Sequence, residues 1–232
     1  MKWSHGKFLI AAAIPAIVAA VPGVTFAANC TGDVPNGAAT WDPTSYISKY
    51  ARIGDGTTIG AYGRVSAYAK IGTCGTIDAY SRVGGSARLG NGVSVMNAAR
   101  VGANAKIGDG TTIDMSNVSG YAVVDGGTTS ISGGSTIGSR GRVGMNTQII
   151  GSSFSSHASI GADGSVTNSI VGYKADLGDN VTVENGSRVN RNVRVDSGVR
   201  IGAGAIIGSY AHVCQDVAPG MRLPSNKPYG CP

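Results

Sequence analysis

The stretch Ile53-Gly54-Asp55-Gly56-Thr57-Thr58-Ile59-Gly60-Ala61-Tyr62-Gly63-Arg64-Val65-Ser66-Ala67-Tyr68-Ala69-Lys70-Ile71 decides the fold. Its aliphatic residues Ile53, Ile59, Val65 and Ile71 return every six positions, most with a small residue just behind. That period matches neither the stripe of a helix, about 3.6 residues, nor the alternation of a strand, about two; it marks a solenoid. The beat continues through Ile77, Val83, Leu89, Val95, Val101, Ile107 and Ile113 without a slip. It shifts by one residue near Val118, Ile131, Phe154 and Val171, then resumes as Leu177, Val183, Val189, Val195, Ile201, Ile207 and Val213.

One turn can be built from Tyr62-Gly63-Arg64-Val65. With Val65 inward, strand alternation turns Gly63 inward and sends Tyr62 and Arg64 to solvent. Ser66-Ala67 then turns the corner. The same frame fits Tyr50-Ala51-Arg52-Ile53, Tyr68-Ala69-Lys70-Ile71 and Asn104-Ala105-Lys106-Ile107. One aliphatic and one small inward residue per short strand fill a narrow triangular interior, three strands to a coil. Some 29 repeats give about ten coils and a rod on the order of 45 Å tall at strand spacing. The expected class is all-β: a single-stranded parallel β-helix over residues 47–213. Residues 28–46 form an irregular N-terminal cap, with Trp41 and Tyr46 placed to cover the first coil against end-to-end stacking. Residues 214–232, with Pro219, Pro224, Pro228 and Pro232, are expected to leave the coil as an extended tail. The slipped stretch 115–136, with Gly126-Gly127 and Gly133-Gly134, is a candidate bulge or loop.

Repeats of the type Ile53-Gly54-Asp55-Gly56-Thr57-Thr58 resemble the hexapeptide-repeat superfamily of left-handed parallel β-helices, the bacterial transferase type. The resemblance covers about 167 of the 232 residues, and Val217-Ala218-Pro219-Gly220 is similar to the loop that ends the helix in many of its transferases. It implies the left-handed winding, against the general rule for parallel crossovers. It also implies a homotrimer and acyl transfer from a thioester cofactor at clefts between subunits. His157, in Ser156-His157-Ala158-Ser159-Ile160, then resembles the general base that takes a proton from the acceptor. The chain lacks the long inserted acceptor loop and a carboxylate set to orient that ring. The carbonic anhydrases of this fold need three histidines for one metal, and past the leader only His157 and His212 remain. No metal and no cofactor is expected.

The first residues read as a signal peptide over 1–27. Lys2 and Lys7 precede an apolar run over 8–24, and Thr25-Phe26-Ala27 offers small residues at the recognition positions. Its removal takes away two lysines and no acid, so the net charge falls from +6 to +4. No later segment is apolar enough to span a bilayer, and Asn29 before Cys30 fits a lipoprotein site poorly. The expected destination is exported, periplasmic or extracellular. In such a compartment the four cysteines read as two disulfides. Cys74 and Cys214 lie about eight coils apart, roughly 38 Å at strand spacing, beyond any bridge. The economical pairing is Cys30–Cys74 and Cys214–Cys231, with Cys30–Cys231 and two free thiols as the alternative.

Taking every third strand stacks the outward residues in columns about 4.8 Å apart. One wall carries Arg64, Arg82 and Arg100, with Tyr62 and Tyr80 two places before the first two. A second carries Arg52, Lys70, Arg88 and Lys106, with Tyr50 and Tyr68 likewise; the third is neutral, with Thr58, Thr76, Ser94 and Thr112. Adjacent like charges repel, a cost that Ser or Thr would avoid. The functional expectation is therefore a non-enzymatic structural or binding rod that meets an anionic polysaccharide, another polyanion or an envelope component. Its charges face Arg and Lys and its rings face Tyr. Basic side chains that keep surfaces soluble and apart would leave the same columns. The alternatives are a trimeric hexapeptide acyltransferase with His157 as base, and a surface adhesin or assembly subunit. An ice-binding face is disfavoured because Thr57 and Thr111 fall on inward positions. Exported proteins also lack nucleotide-based acyl donors, which argues against the transferase.

Overall fold

The computed structural model describes residues 38–232. The expected signal peptide, most of the expected cap and Cys30 lie outside the described residues. Within them the chain winds as a three-sided, left-handed parallel β-helix of about 11 turns, with no helix. Three parallel sheets of 10, 11 and 11 strands form its faces. Face I begins at Thr40–Trp41, face II at Tyr46–Ile47 and face III at Arg52–Ile53. Each residue on a face pairs with its counterpart one coil on, as in Arg64↔Arg82 and Val65↔Val83.

The repeat explains this directly. Most strands hold two residues, the outer exposed and the inner an aliphatic bead. Every bead from Ile59 to Val213 is buried, and each burial contributes about 1.5–3 kcal/mol. Phe154 is the largest wholly buried side chain and replaces an aliphatic bead on face II. Behind the beads sit small residues such as Ala69, Ala87 and Ala105, also buried. Glycine is required where coils touch: a Cβ on Gly102 would stand 2.4 Å from the Gly120 nitrogen. Thr57 and Thr111 point inward as their phase predicts, and both are buried.

Corners turn through left-handed backbone. Besides glycines, 20 of the described residues have positive φ, and seven of them are Asn, whose short amide tolerates this region. This corrects the outward-strand reading of the tyrosines and of His157. Tyr62, Tyr68, Tyr80 and His157 have φ of 57, 61, 60 and 62° and stand on corners, just before the two-residue strands begin. Simple alternation extends a strand too far when three walls converge within six residues.

The slips are absorbed without a long loop, so 115–136 stays within the coil. Corners between faces I and II lose one residue beside Met115, Gly151 and Asn168, and the corner Asp125–Thr129 gains one back. Buried serines stitch these corners: Ser135, Ser152, Ser169 and Ser187 each donate a backbone N–H to the hydroxyl one coil before, at 3.1–3.2 Å. Pairing also extends past both expected boundaries. Thr40–Trp41 pairs with Thr58–Ile59, while Arg222–Leu223 and Pro228–Tyr229 form an eleventh coil. Pro228 is tolerated there because it begins its strand at the edge of the sheet. Trp41 and Tyr46 remain exposed rather than closing the first coil.

Cys214 and Cys231 are bonded, which excludes the alternative Cys30–Cys231 pairing. Cys74, on a corner between faces III and I, is also disulfide-bonded. Its expected partner, Cys30, lies outside the described residues.

Candidate functional site

The parallel register places the predicted basic residues in direct contact sequence. On face II Tyr46 pairs with Arg64, Arg64 with Arg82, and Arg82 with Arg100. On face III Arg52 pairs with Lys70, Lys70 with Arg88, and Arg88 with Lys106. All seven cations are exposed, and among the described residues none has a carboxylate partner. The columns therefore carry uncompensated positive charge at strand spacing.

Between these two basic faces runs a shared edge. It carries Tyr50 and Tyr68, whose rings stack 5.2 Å apart with planes 6° from parallel. The Lys49 ammonium lies 4.8 Å from the Tyr50 ring centre, within cation–π range. The opposite edge of face II carries Tyr62 and Tyr80, stacked at 5.1 Å. These tyrosines are more than half exposed, so the outer edges of their stacks are open to a ligand. Tyr50, Arg52, Tyr68 and Lys70 line one shallow groove of about 360 Å³ with Lys49 and Ala51. A second, of the same size, lies higher on face III beside Arg88 and Lys106, with Asp125 also in its lining. Face I stays neutral beside them, with Thr58, Thr76, Ser94 and Thr112 in one column.

The aromatic edge extends further than the sequence reading followed it. Above Tyr68 the same corner carries Ser86, Asn104, Tyr121, Arg140, His157, Lys174, Asn192 and Tyr210. The Arg140 guanidinium sits 5.9 Å from the Tyr121 ring, and that of Arg191 5.7 Å from Tyr210. The signal was present, since these residues keep the corner phase of Tyr68, but the one-residue slips hide it. His157 joins this edge rather than a cleft of its own. Its ring meets Tyr173 edge-on at 5.5 Å. Among the described residues no carboxylate contacts its imidazole.

His212 is the histidine that has one. Its Nε2 lies 2.8 Å from Asp196 Oδ1 and 3.3 Å from Cys214 Sγ. The expectation of no metal rested on the missing third histidine; the eleventh coil brings Cys231 alongside Cys214 and His212.

No family model matches the chain, and no characterised protein matches it in sequence. Solved structures do match in fold. One is a UDP-N-acetylglucosamine O-acyltransferase from Moraxella catarrhalis, at 14% identity over 75% of this chain and 68% of that one, with a TM-score of 0.47. A UDP-N-acetylglucosamine acyltransferase from Campylobacter jejuni is 22% identical over 78% and 69% of the two chains, with a TM-score of 0.34. Another from Bacteroides fragilis is 18% identical over 77% and 68%, with a TM-score of 0.32. At these values the likeness carries no inference about chemistry. No helix among the described residues is long and apolar enough to cross a membrane.

Proposed function

We propose that the protein is an exported rod, periplasmic or extracellular, that binds an extended polyanion, an acidic polysaccharide foremost, along the Tyr50–Tyr68 edge and its two basic faces. The observation that carries this is the column Arg52, Lys70, Arg88 and Lys106, uncompensated and flanked by stacked rings. Two basic faces meeting at an aromatic edge match a linear polymer: charges pair with the cations, and sugar rings lie against the tyrosines. A net charge near +4 after leader removal sets no strong field over the whole molecule, so attraction is local to these walls. The test is retention on immobilised heparin across a salt gradient. Binding should weaken steeply with salt, as screening of exposed charge requires. Arg64→Ser, Arg82→Ser and Arg100→Ser together should shift elution to lower salt. Retention that ignores both salt and these substitutions would overturn the proposal.

A second reading is favoured by one setting. His157 stands on the same edge with Arg140 one coil before it and Lys174 one coil after. An imidazole between two cations suits proton abstraction beside a phosphorylated substrate, as in a trimeric acyltransferase whose clefts form between subunits. Acyl transfer from a thioester donor to an amino or hydroxyl sugar, abolished by His157→Ala in a protein that sediments as a trimer, would establish it. His157→Ala should leave polyanion retention unchanged, so the two readings separate.

A further inference from the structure

The C-terminal disulfide is surrounded by groups that a mere staple does not need. Asp196 follows the strand Arg194–Val195, His212 opens the strand His212–Val213, and Cys231 follows Pro228–Tyr229. Three successive coils thus deliver donors to one patch of face III. Cys214 follows the His212–Val213 strand, two residues after His212, and its Sγ lies 3.3 Å from His212 Nε2. The backbone fixes them: Asp196 N–H donates to Val213 O at 2.8 Å, and Cys214 N–H to Tyr229 O at 2.9 Å. His212 Nε2, Cys214 Sγ and Cys231 Sγ all lie within 4.8 Å of one another. Asp196 Oδ1 adds a fourth donor 2.8 Å from Nε2. Tetrahedral zinc, with bonds of about 2.3 Å to sulfur and about 2.0 Å to nitrogen, needs an N–S edge of about 3.5 Å; Nε2 and Cys214 Sγ stand 3.3 Å apart. The side chains of His212 and Asp196 are 40% and 37% exposed, open to an ion from solvent, and Cys214 and Cys231 are half-buried.

We infer that reduction of the Cys214–Cys231 bridge turns this patch into a four-donor site for a tetrahedral divalent cation such as zinc. Two thiolates, the His212 imidazole and the Asp196 carboxylate hold the ion. The last coil is then closed either covalently or by the metal. A dithiol reductant gives two electrons and two protons to the S–S bond, leaving two thiols and an oxidised reductant. The cation then displaces both thiol protons into solvent. The imidazole proton passes to Nδ1 through solvent, so that the Nε2 lone pair faces the ion, and Asp196 binds as carboxylate. Softness favours this choice, since thiolate and imidazole together select zinc over magnesium or calcium.

The experiment uses the full chain with Cys30→Ser and Cys74→Ser, so that one cysteine pair remains. After reduction with a phosphine, cobalt(II) serves as probe. One equivalent should produce thiolate-to-cobalt charge transfer and tetrahedral visible bands, and zinc should bleach both. The oxidised protein should produce neither. His212→Ala and Asp196→Asn should each weaken cobalt binding roughly tenfold or more, and Cys214→Ser should abolish it. Proteolysis at Arg222 reports the last coil: reduction should expose it and zinc should protect it again. Absence of the bands, or bands unchanged by both His212→Ala and Asp196→Asn, would overturn the inference. So would a reduced last coil that zinc fails to protect.

Discussion

The first four coils and the last five use one backbone for opposite surface chemistry. In the first four every bead follows at six residues and corresponding positions stand 18 apart. Arg and Lys face one another, and no ion pair forms among the described residues there. In the last five, pairing also recurs at 17 and 16 residues, and ion pairs form where it stays at 18. Arg200 bonds Glu184, and Asp196 sits between Arg194 and His212. The lesson is that a parallel solenoid turns sequence periodicity into surface columns. Strict repetition of a charge builds a ladder. Acidic residues two places past the paired position, in the same 18-residue register, break the ladder into pairs.

This contrast can be broken in several places, beginning with the core. Phe154→Ala should cost about 4 kcal/mol against about 3 for Ile113→Ala, because the aromatic bead leaves the larger cavity. Equal denaturation midpoints would show that Phe154 merely replaces an aliphatic bead. Gly102→Ala, whose Cβ would meet the Gly120 backbone, should cost about 2–3 kcal/mol. Gly186→Ala, with nothing nearer than 3.9 Å but a φ of +76°, should lose only the conformational term, about 1 kcal/mol. Thermal unfolding orders the two.

Charge effects should be smaller and of opposite sign in the two regions. Replacing Arg82 by Ser removes repulsion from Arg64 and Arg100 and should leave stability equal or raised by about 0.5 kcal/mol, while weakening polyanion retention. Glu184→Gln should lower stability by less than about 1 kcal/mol, since the Arg200 side chain is 64% exposed and salt screens the pair. Chemical denaturation of both variants, at low and high salt, would expose any failure of the opposite signs. The smallest effect lies in the first coil. The Asp42 carboxyl is held below its ordinary value, first by the Thr44 hydroxyl and then by the Thr44 backbone N–H. Because its folded value is the lower, its contribution is present above the ordinary carboxylate range. It fades as pH falls through the folded value. Amide exchange at Thr44 should quicken over that acid window, and Asp42→Asn should remove the dependence.

Much of this architecture is legible in the chain. The recurrence of Ile59, Val65 and Ile71 specifies which residues are buried, and the columns Arg64–Arg82–Arg100 and Arg52–Lys70–Arg88–Lys106 follow from the same count. The corners are not legible in that way. Alternation sends Tyr62 and His157 outward but cannot distinguish a strand from a left-handed turn, because both expose the side chain. The tail misleads for a related reason. Pro219, Pro224 and Pro228 argue against pairing, yet an edge strand needs few of its own N–H donors, so the eleventh coil forms around them.

The order of residues alone determined the axis of the molecule, since a hydrophobic side chain at every sixth position has only a three-sided interior in which to hide. It determined which faces carry positive charge, because in-register stacking preserves phase. Only the folded chain decided what meets across coils. Asp196, His212, Cys214 and Cys231 share no motif, and the rings of His157 and Tyr173 touch across one turn. Such meetings depend on the exact residue count of each corner, a sum over small steric choices that no local pattern encodes.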